Sequence, residues 1–185
     1  MKSNLKWSAK VLILSFFLSF FFSFVSQSLF PTLSIFLSIF IIVFFVVISV
    51  IFDMIAVGVT SVSLEKLDKH KEEKSYSTAV KLCKNTEKVS SFCGDVVGDI
   101  CGILSGAGGV SLVLNINLQD PNVYFIITCL VSSLIAGLTI FGKAIMKRYS
   151  VDNCEKVVLL TAKVLDFSLV NHLKMVFQKK GKKKN

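Results

Sequence analysis

The feature that most constrains the fold is a long uncharged stretch near the beginning of the sequence. No Asp, Glu, Lys, Arg or His occurs between Val11 and Phe52, and this length is about twice the roughly 20 residues that a transmembrane helix needs. Pro31 lies near the middle among polar residues, and proline disfavours helical geometry in the residue before it. We therefore expect two membrane spans here, at residues 9–25 and 33–52.

Two more apolar stretches follow, at residues 91–114 and 123–142, with a short polar turn between them. The composition agrees with a membrane protein, because 53% of the residues are hydrophobic and only 18% are charged, whereas about a quarter of the residues of a soluble domain are charged. The predicted fold class is an all-α integral membrane protein with about four transmembrane helices.

All 21 Lys and Arg residues fall on one side of the predicted spans: before the first span, between residues 66 and 88, and from Lys143 onward. Positively charged flanking segments are retained in the cytoplasm. We therefore expect a multi-pass protein of the cell membrane with both termini in the cytoplasm. An alternative is that the first apolar segment is a cleaved signal peptide, which would leave three spans and the same orientation downstream.

The longer segments on the basic side have helical patterns. Residues 64–88 alternate charges, and Glu65 and Lys69 have the i,i+4 spacing that favours an exposed helix or helical hairpin. Residues 155–177 have the pattern of an amphipathic juxtamembrane helix. Its apolar face consists of Val158, Leu159, Ala162, Leu165, Leu169, Leu173 and Val176.

A polybasic tail follows at residues 179–185, where five of the seven residues are lysine. Such a tail beside a bilayer attracts anionic lipid by about 1 kcal/mol per charge. We expect no nucleic-acid partner, because no binding motif or aromatic interleaving accompanies the charge.

The third predicted span contains a glycine stripe. Gly94, Gly98, Gly102 and Gly106 recur at every fourth position, which places them along one side of a helix and lets another helix backbone approach closely. The stripe predicts that this span is buried in a bundle or in a dimer interface.

Three acidic residues are candidates for a cation site. Asp95 and Asp99 lie four residues apart, so an α-helix would point them in the same direction, and Asp53 ends the uncharged stretch. A carboxylate inside a membrane requires a cation, a proton or water beside it, and oxygen ligands of this kind suit Mg²⁺ and similar divalent cations. The three acids would form one cluster if the second span packs against the third. The alternative is that Asp53, Asp95 and Asp99 merely reach the aqueous interface.

The order of these segments resembles the transmembrane domain of the cyclin M and CorB/CorC magnesium-transporter family. In that family a span ends in a pattern like F-S-A-S-E-T-A-L-T-S, a charged hairpin follows, the next span opens with G-N-N-x-x-N, and another ends in F-G-E-x-x-P-K before a juxtamembrane helix. The corresponding segments here are residues 52–61, 94–99, 141–147 and 154–160. The resemblance implies a domain of this type at residues 33–178, with residues 1–32 as an additional hydrophobic segment.

The resemblance also implies a site and an assembly. Asp95 and Asp99 fall where the family has asparagines associated with the ion, Gly142 would offer a backbone oxygen, and a homodimer is favoured. Several motif residues differ, among them Ala56 in place of the glutamate and Met146 in place of the proline. The family's nucleotide-binding domains of the cystathionine-β-synthase type are not found in these 185 residues.

Two functions are therefore predicted. The first is binding or transport of Mg²⁺ or another divalent cation by Asp53, Asp95, Asp99 and Gly142. The second is a non-transporting membrane scaffold or interaction protein in which the acids are structural. An enzyme is not expected, because both histidines, His70 and His172, lie in charged or amphipathic segments and no nucleophile elbow, phosphate loop or H-E-x-x-H motif is present.

Overall fold

A computed structural model describes residues 2–116 and 119–181. Every regular element in these residues is helical, and the α-helices are numbered here in chain order. They are α1 (Lys2–Leu29), α2 (Ile35–Ser61), α3 (Leu64–Leu67), α4 (Tyr76–Lys84), α5 (Thr86–Ser90), α6 (Asp99–Leu114), α7 (Pro121–Asp152) and α8 (Cys154–Gly181). Short 3₁₀ turns lie at Phe30–Thr32 and Asp68–His70, and a π-helical segment at Ser91–Gly98 joins α5 to α6.

The predicted all-helical class is confirmed for the described residues. Four helical stretches are long and apolar enough to cross a membrane: Leu12–Thr32, Ile35–Ser61, Thr86–Leu114 and Pro121–Asp152. The third stretch is the most enclosed, with 61% of its most apolar window buried against 6–17% in the other three. This agrees with the burial that the glycine stripe predicts for it.

The break predicted at Pro31 is present. Pro31 lies in the 3₁₀ turn, Leu33 and Ser34 are extended, and α2 then begins at Ile35. Three helices are longer than the predicted spans, because α1 runs from Lys2 to Leu29, α2 continues past Phe52 to Ser61 and α7 continues past residue 142 to Asp152. In α2 and α7 the first charged residue, Asp53 or Lys143, ends the apolar stretch but not the helix. No proline follows it, and its side chain forms an ion pair with a neighbouring helix or segment.

Helix α2 is the centre of the bundle, with α6 and α7 packed against it and α1 packed against α6. The contacts are close where side chains are small, as at Gly108, where an added Cβ would lie 2.7 Å from Phe30 Cζ and 3.0 Å from Ile42 Cγ1. We call the end of the bundle where α2 and α7 end the basic end. The turn at Phe30–Thr32 and the end of α6 lie at the opposite end.

An apolar core forms at the basic end. It lies where α2 and α8 pack against the segment from α3 to α5, which we call the hairpin. Its buried members come from all of these regions: Val59, Leu67, Ala79, Val158, Leu159 and Ala162. The hairpin predicted at 64–88 is confirmed as helical. Within it Asp68 forms an ion pair with Lys71, and His70 forms a hydrogen bond with Glu73.

Helix α8 has two apolar faces. Val158, Leu159 and Ala162 are buried against the hairpin and α2, whereas Leu160, Val164 and Phe167 are 60–70% exposed on another side. Leu165, predicted on the first face, is 40% exposed. Leu169, His172, Leu173, Val176 and the polybasic tail lie outside the residues whose side chains are described.

Candidate site at the basic end of the bundle

The predicted site residues lie where α2, the π-helical segment and α7 meet. Asp53 is on α2, Asp95 is in the π-helical segment, Asp99 begins α6, and Gly142 is in α7. Lys143 and Lys147 are one turn apart on α7 and face this junction. The two lysines, which sequence reasoning left out, decide the charge balance of the site.

Asp53 is buried, with 9% of its surface exposed. Its Oδ2 atom lies 3.2 Å from Nζ of Lys147, and its Oδ1 atom lies beside Gly94, where an added Cβ would be 3.8 Å away. A buried carboxylate is costly unless a positive charge accompanies it. The Lys147 ammonium therefore compensates the Asp53 charge inside the bundle.

Asp99 is paired in the same manner but is more open. Its Oδ1 atom lies 3.6 Å from Nζ of Lys143; the Asp99 side chain is 65% exposed, and that of Lys143 only 20%. The ammonium also lies close to the backbone at Gly98, 3.8 Å from where a Cβ would be. Lys143 thus places a positive charge next to the carboxylate that was predicted to hold a cation.

The π-helical segment is held to α2 by one buried hydrogen bond. Ser49 Oγ donates to the Gly98 carbonyl oxygen over 2.6 Å, and Ser49 is fully buried. The i→i+5 pattern of a π-helix is rare and is often found at functional sites. It also changes the direction of side chains, so the α-helical spacing that would align Asp95 with Asp99 does not apply here.

The other two predicted residues have different surroundings. Asp95 is exposed and belongs to none of the ion pairs of the described residues. Gly142 lies inside α7, and its missing side chain lets Val50 approach, because a Cβ would be 2.9 Å from Val50 Cγ2. Close packing of α2 against α7 is the role that this contact gives to Gly142.

The residues that the structure describes contain no group of three or more His, Cys, Asp or Glu side chains arranged to hold a metal ion. The junction instead carries two carboxylates with an ammonium beside each one. The two lysine charges would repel a divalent cation at this junction. Metal binding by Asp53, Asp95, Asp99 and Gly142 stays a prediction.

A narrow groove of about 220 Å³ continues from Lys143 between α6 and α7. Small and hydroxylated side chains line it, including those of Ser105, Ser132 and Thr139. Gly102 and Gly106 open onto the groove, since nothing lies within 4 Å of a Cβ added at either one. Half of the predicted glycine stripe therefore lines open space in this chain rather than a helix contact.

The second polar cluster joins the hairpin to α8. His70 contacts two carboxylates, with Nδ1 3.2 Å from Glu73 Oε1 and Nε2 3.3 Å from Glu155 Oε2. Lys163 Nζ lies 2.8 Å from Glu73 Oε2, and this ammonium, together with His70, lowers the pKa of Glu73. Thr78 Oγ1 donates to Asp166 over 2.7 Å. Sequence reasoning took His70 as solvated and missed this link, because its partner Glu155 is distant in the sequence.

Comparisons of the chain with protein-family models, with curated proteins and with solved structures found no match. The resemblance to the magnesium-transporter family thus rests on the sequence segments alone.

Proposed function

We propose that the chain is a multi-pass membrane protein that holds an interaction platform at the cytoplasmic surface and does not carry a divalent cation. The platform consists of the hairpin and α8, and the four long helices anchor it. The orientation follows from the charge distribution, since all 21 basic residues belong to the termini and to the segments at the basic end.

The observation that carries this proposal is the pairing of both junction acids with lysines. Asp53 lies 3.2 Å from the Lys147 ammonium and Asp99 lies 3.6 Å from the Lys143 ammonium. A transported divalent cation would have to displace both ammonium groups, and the freed lysines would stay on the same helix. The acids therefore act as structural partners of α7.

The construction of the platform also supports an interaction role. The hairpin and α8 share an apolar core with the end of α2, and the cluster of His70, Glu73, Glu155 and Lys163 ties them together at the surface. A segment that is packed in this way presents its outer charges in a fixed arrangement. The outward charges of the hairpin include Lys66, Lys69, Glu72, Lys81 and Lys84, all of which are exposed.

The test is cation binding by the purified protein in lipid nanodiscs. Calorimetric titrations with Mg²⁺, Mn²⁺ and Co²⁺ compare the wild type with Asp99→Asn and with Asp152→Asn, an exposed acid at the end of α7 that serves as the matched control. We expect no saturable heat in any of the three. Saturable binding by the wild type that Asp99→Asn removes and Asp152→Asn retains would overturn the proposal.

A further variant tests whether Lys143 is the reason that no cation binds at Asp99. Lys143→Gln removes the ammonium beside Asp99, and binding that emerges only in this variant would show that the lysine excludes the cation. Size-exclusion profiles of all variants check that each one is folded.

Transport of a divalent cation is the second candidate function. The groove between α6 and α7 favours it, because Ser105, Ser132 and Thr139 line this groove together with Lys143, the partner of Asp99. Transport requires this pair to separate during each cycle. Uptake of Mg²⁺ into proteoliposomes, followed with an enclosed indicator dye, would establish this candidate, and uptake equal to that of empty liposomes would dismiss it.

A further inference from the structure

A second groove, which we call the interface groove, lies at the basic end on the side of α2 that faces away from Asp53 and α7. Its volume is about 590 Å³, within the range of pockets that take small ligands. Three regions form its walls: the end of α2, the helix from α4 into the π-helical segment, and the second apolar face of α8. The apolar residues of these walls include Ile55, Val89, Phe92, Val157 and Val164.

The chemistry of the interface groove changes along its length. Its walls are almost entirely apolar, and Lys88 is the charged residue among the described residues that line it. The hydroxyl of Thr161, which also lines it, already donates to the Val157 carbonyl. Lys88 lies one helical turn before Phe92, and the chain runs from the basic end toward the centre of the bundle here. Lys88 therefore lies on the outer side of Phe92, and the apolar wall at Phe92 lies deeper in the bundle.

The groove also lies at a defined level of the bundle. Ile51, Phe52, Met54 and Ile55 of α2 form part of its wall, so the groove lies at the same level along the helix as Asp53 but on the other side. This is the level where the apolar part of the span ends. Phe92, Leu160 and Val164 leave more than half of their surfaces exposed around it. In a bilayer these exposed side chains face acyl chains, and the groove opens toward the inner headgroup layer.

We propose that the interface groove binds one anionic phospholipid, with an acyl chain against Phe92 and Val164 and the phosphate at Lys88. The order of apolar wall and outer cation matches the order of acyl chain and phosphate in a phospholipid of the inner leaflet. The attraction of one lysine near an anionic surface predicts about a fivefold preference for an anionic over a zwitterionic lipid. This inference rests on the membrane insertion proposed above and is independent of cation binding.

The experiment uses tryptophan quenching by lipids with brominated acyl chains. Trp7, the single tryptophan, is changed to Phe, and Phe92→Trp then reports on the groove in the full chain. Phe141→Trp is the matched control, since Phe141 is exposed on α7 at the basic end and does not line the groove. Quenching is measured in bilayers that mix brominated phosphatidylglycerol or brominated phosphatidylcholine with unbrominated lipid.

The expected result is about a fivefold preference for phosphatidylglycerol at position 92 and none at position 141. Lys88→Gln should abolish the preference, whereas Lys84→Gln, an exposed lysine one turn earlier outside the groove, should retain it. An equal response to both lipids at position 92, or a preference that survives Lys88→Gln, would overturn the proposal.

Two other outcomes distinguish the failure of the lipid site from the failure of membrane insertion. Weak quenching by both lipids at position 92 with strong quenching at position 141 would mean that protein, such as a second copy of the chain, covers the groove, and this also overturns the lipid site. Weak quenching at both positions would contradict membrane insertion itself.

Discussion

Two glycines in helix interiors have opposite surroundings. A Cβ at Gly58 would lie 2.8 Å from Val157 Cγ1 and 2.9 Å from Ser150 Oγ, whereas a Cβ at Gly106 would meet nothing within 4 Å. Valine is stiff at χ1 and cannot turn away easily. The close approach of α8 to α2 therefore depends on Gly58.

We predict that Gly58→Ala lowers stability by about 1–3 kcal/mol through overpacking. Gly106→Ala should leave stability unchanged or raise it by up to about 1 kcal/mol, because alanine favours a helix. Thermal unfolding of both variants in detergent measures the difference. Equal losses in the two variants would contradict the packing described at Gly58.

Two buried serines of α2 differ in the same way. Ser49 and Ser38 are both fully buried, but Ser49 Oγ donates to the Gly98 carbonyl, whereas Ser38 Oγ has no hydrogen-bond partner among the described residues. We predict that Ser49→Ala lowers stability by about 1 kcal/mol, the size of such bonds between membrane helices, and that Ser38→Ala is neutral. Unfolding by a denaturing detergent compares the two, and a larger loss for Ser38→Ala would be evidence against the bond.

At the candidate site, the sequence predicted the acidic residues but not the lysines that pair with them. The acids were found because charge is rare in an apolar stretch, and Asp53 and Asp99 do lie at one junction. Their partners Lys143 and Lys147 were missed because they belong to a different span. Pairing across helices depends on the rotation of each helix, which a sequence pattern does not determine.

Among the elements, the link between the hairpin and α8 depends on pH. The Lys163 ammonium and His70 lower the pKa of Glu73. A carboxylate with a lowered pKa stabilises the folded state above its ordinary pKa, about 4.3, and this contribution is lost as the pH falls through the lowered value. The contact should therefore be intact at neutral pH and be lost in acid below about pH 4.

We predict that Lys163→Met reduces this acid dependence. The fall in unfolding temperature between pH 7 and pH 3.5 should be smaller in Lys163→Met than in the wild type, because Glu73 then titrates closer to its ordinary value. Lys156→Met, an exposed lysine on the same helix, is the control and should behave like the wild type. Identical acid dependence in the Lys163→Met variant and the wild type would show that the pair adds nothing.

Elements were predicted well where periodicity or a breaker marks them. Pro31 marked the break between α1 and α2, and the amphipathic pattern marked α8. The π-helical segment was not predicted, because the residues SFCGDVVG also suit an α-helix, and the wide turns depend on the tertiary contact between Ser49 and Gly98. The division of the α8 apolar residues into a buried face and an exposed face was not predicted for a similar reason. The sequence pattern shows one broad apolar face and does not tell which part of it packs against other helices.

For the whole molecule, the arrangement of the helices makes a definite prediction about topology. The hairpin and the ends of α2 and α7 lie at the basic end, and the turn before α2 and the turn after α6 lie at the opposite end. We predict that reporters fused at either terminus, or inserted after Lys74, are active only in the cytoplasm. A reporter inserted at residue 119 should be active only outside.

The same reporter fusions test whether the first segment is retained. Activity of an N-terminal reporter outside the cell, or a mature protein that lacks the mass of residues 1–25, would contradict retention of α1.

The bundle shape itself was predictable from span number and charge. The packing order, with α2 at the centre, was not, because all four spans are apolar and only their small residues determine which faces meet.

Helix α8 packs against the hairpin and α2 on one side and leaves Leu160, Val164 and Phe167 exposed on the other. In a bilayer this arrangement couples the hairpin to the membrane mechanically. A change in membrane thickness or lateral tension that tilts α8 must also tilt the hairpin, because Val158 and Ala162 leave no space for the helices to slide separately. The outer charges of the platform would then turn relative to the membrane plane, so the physical state of the lipid would set what the platform presents to the cytoplasm.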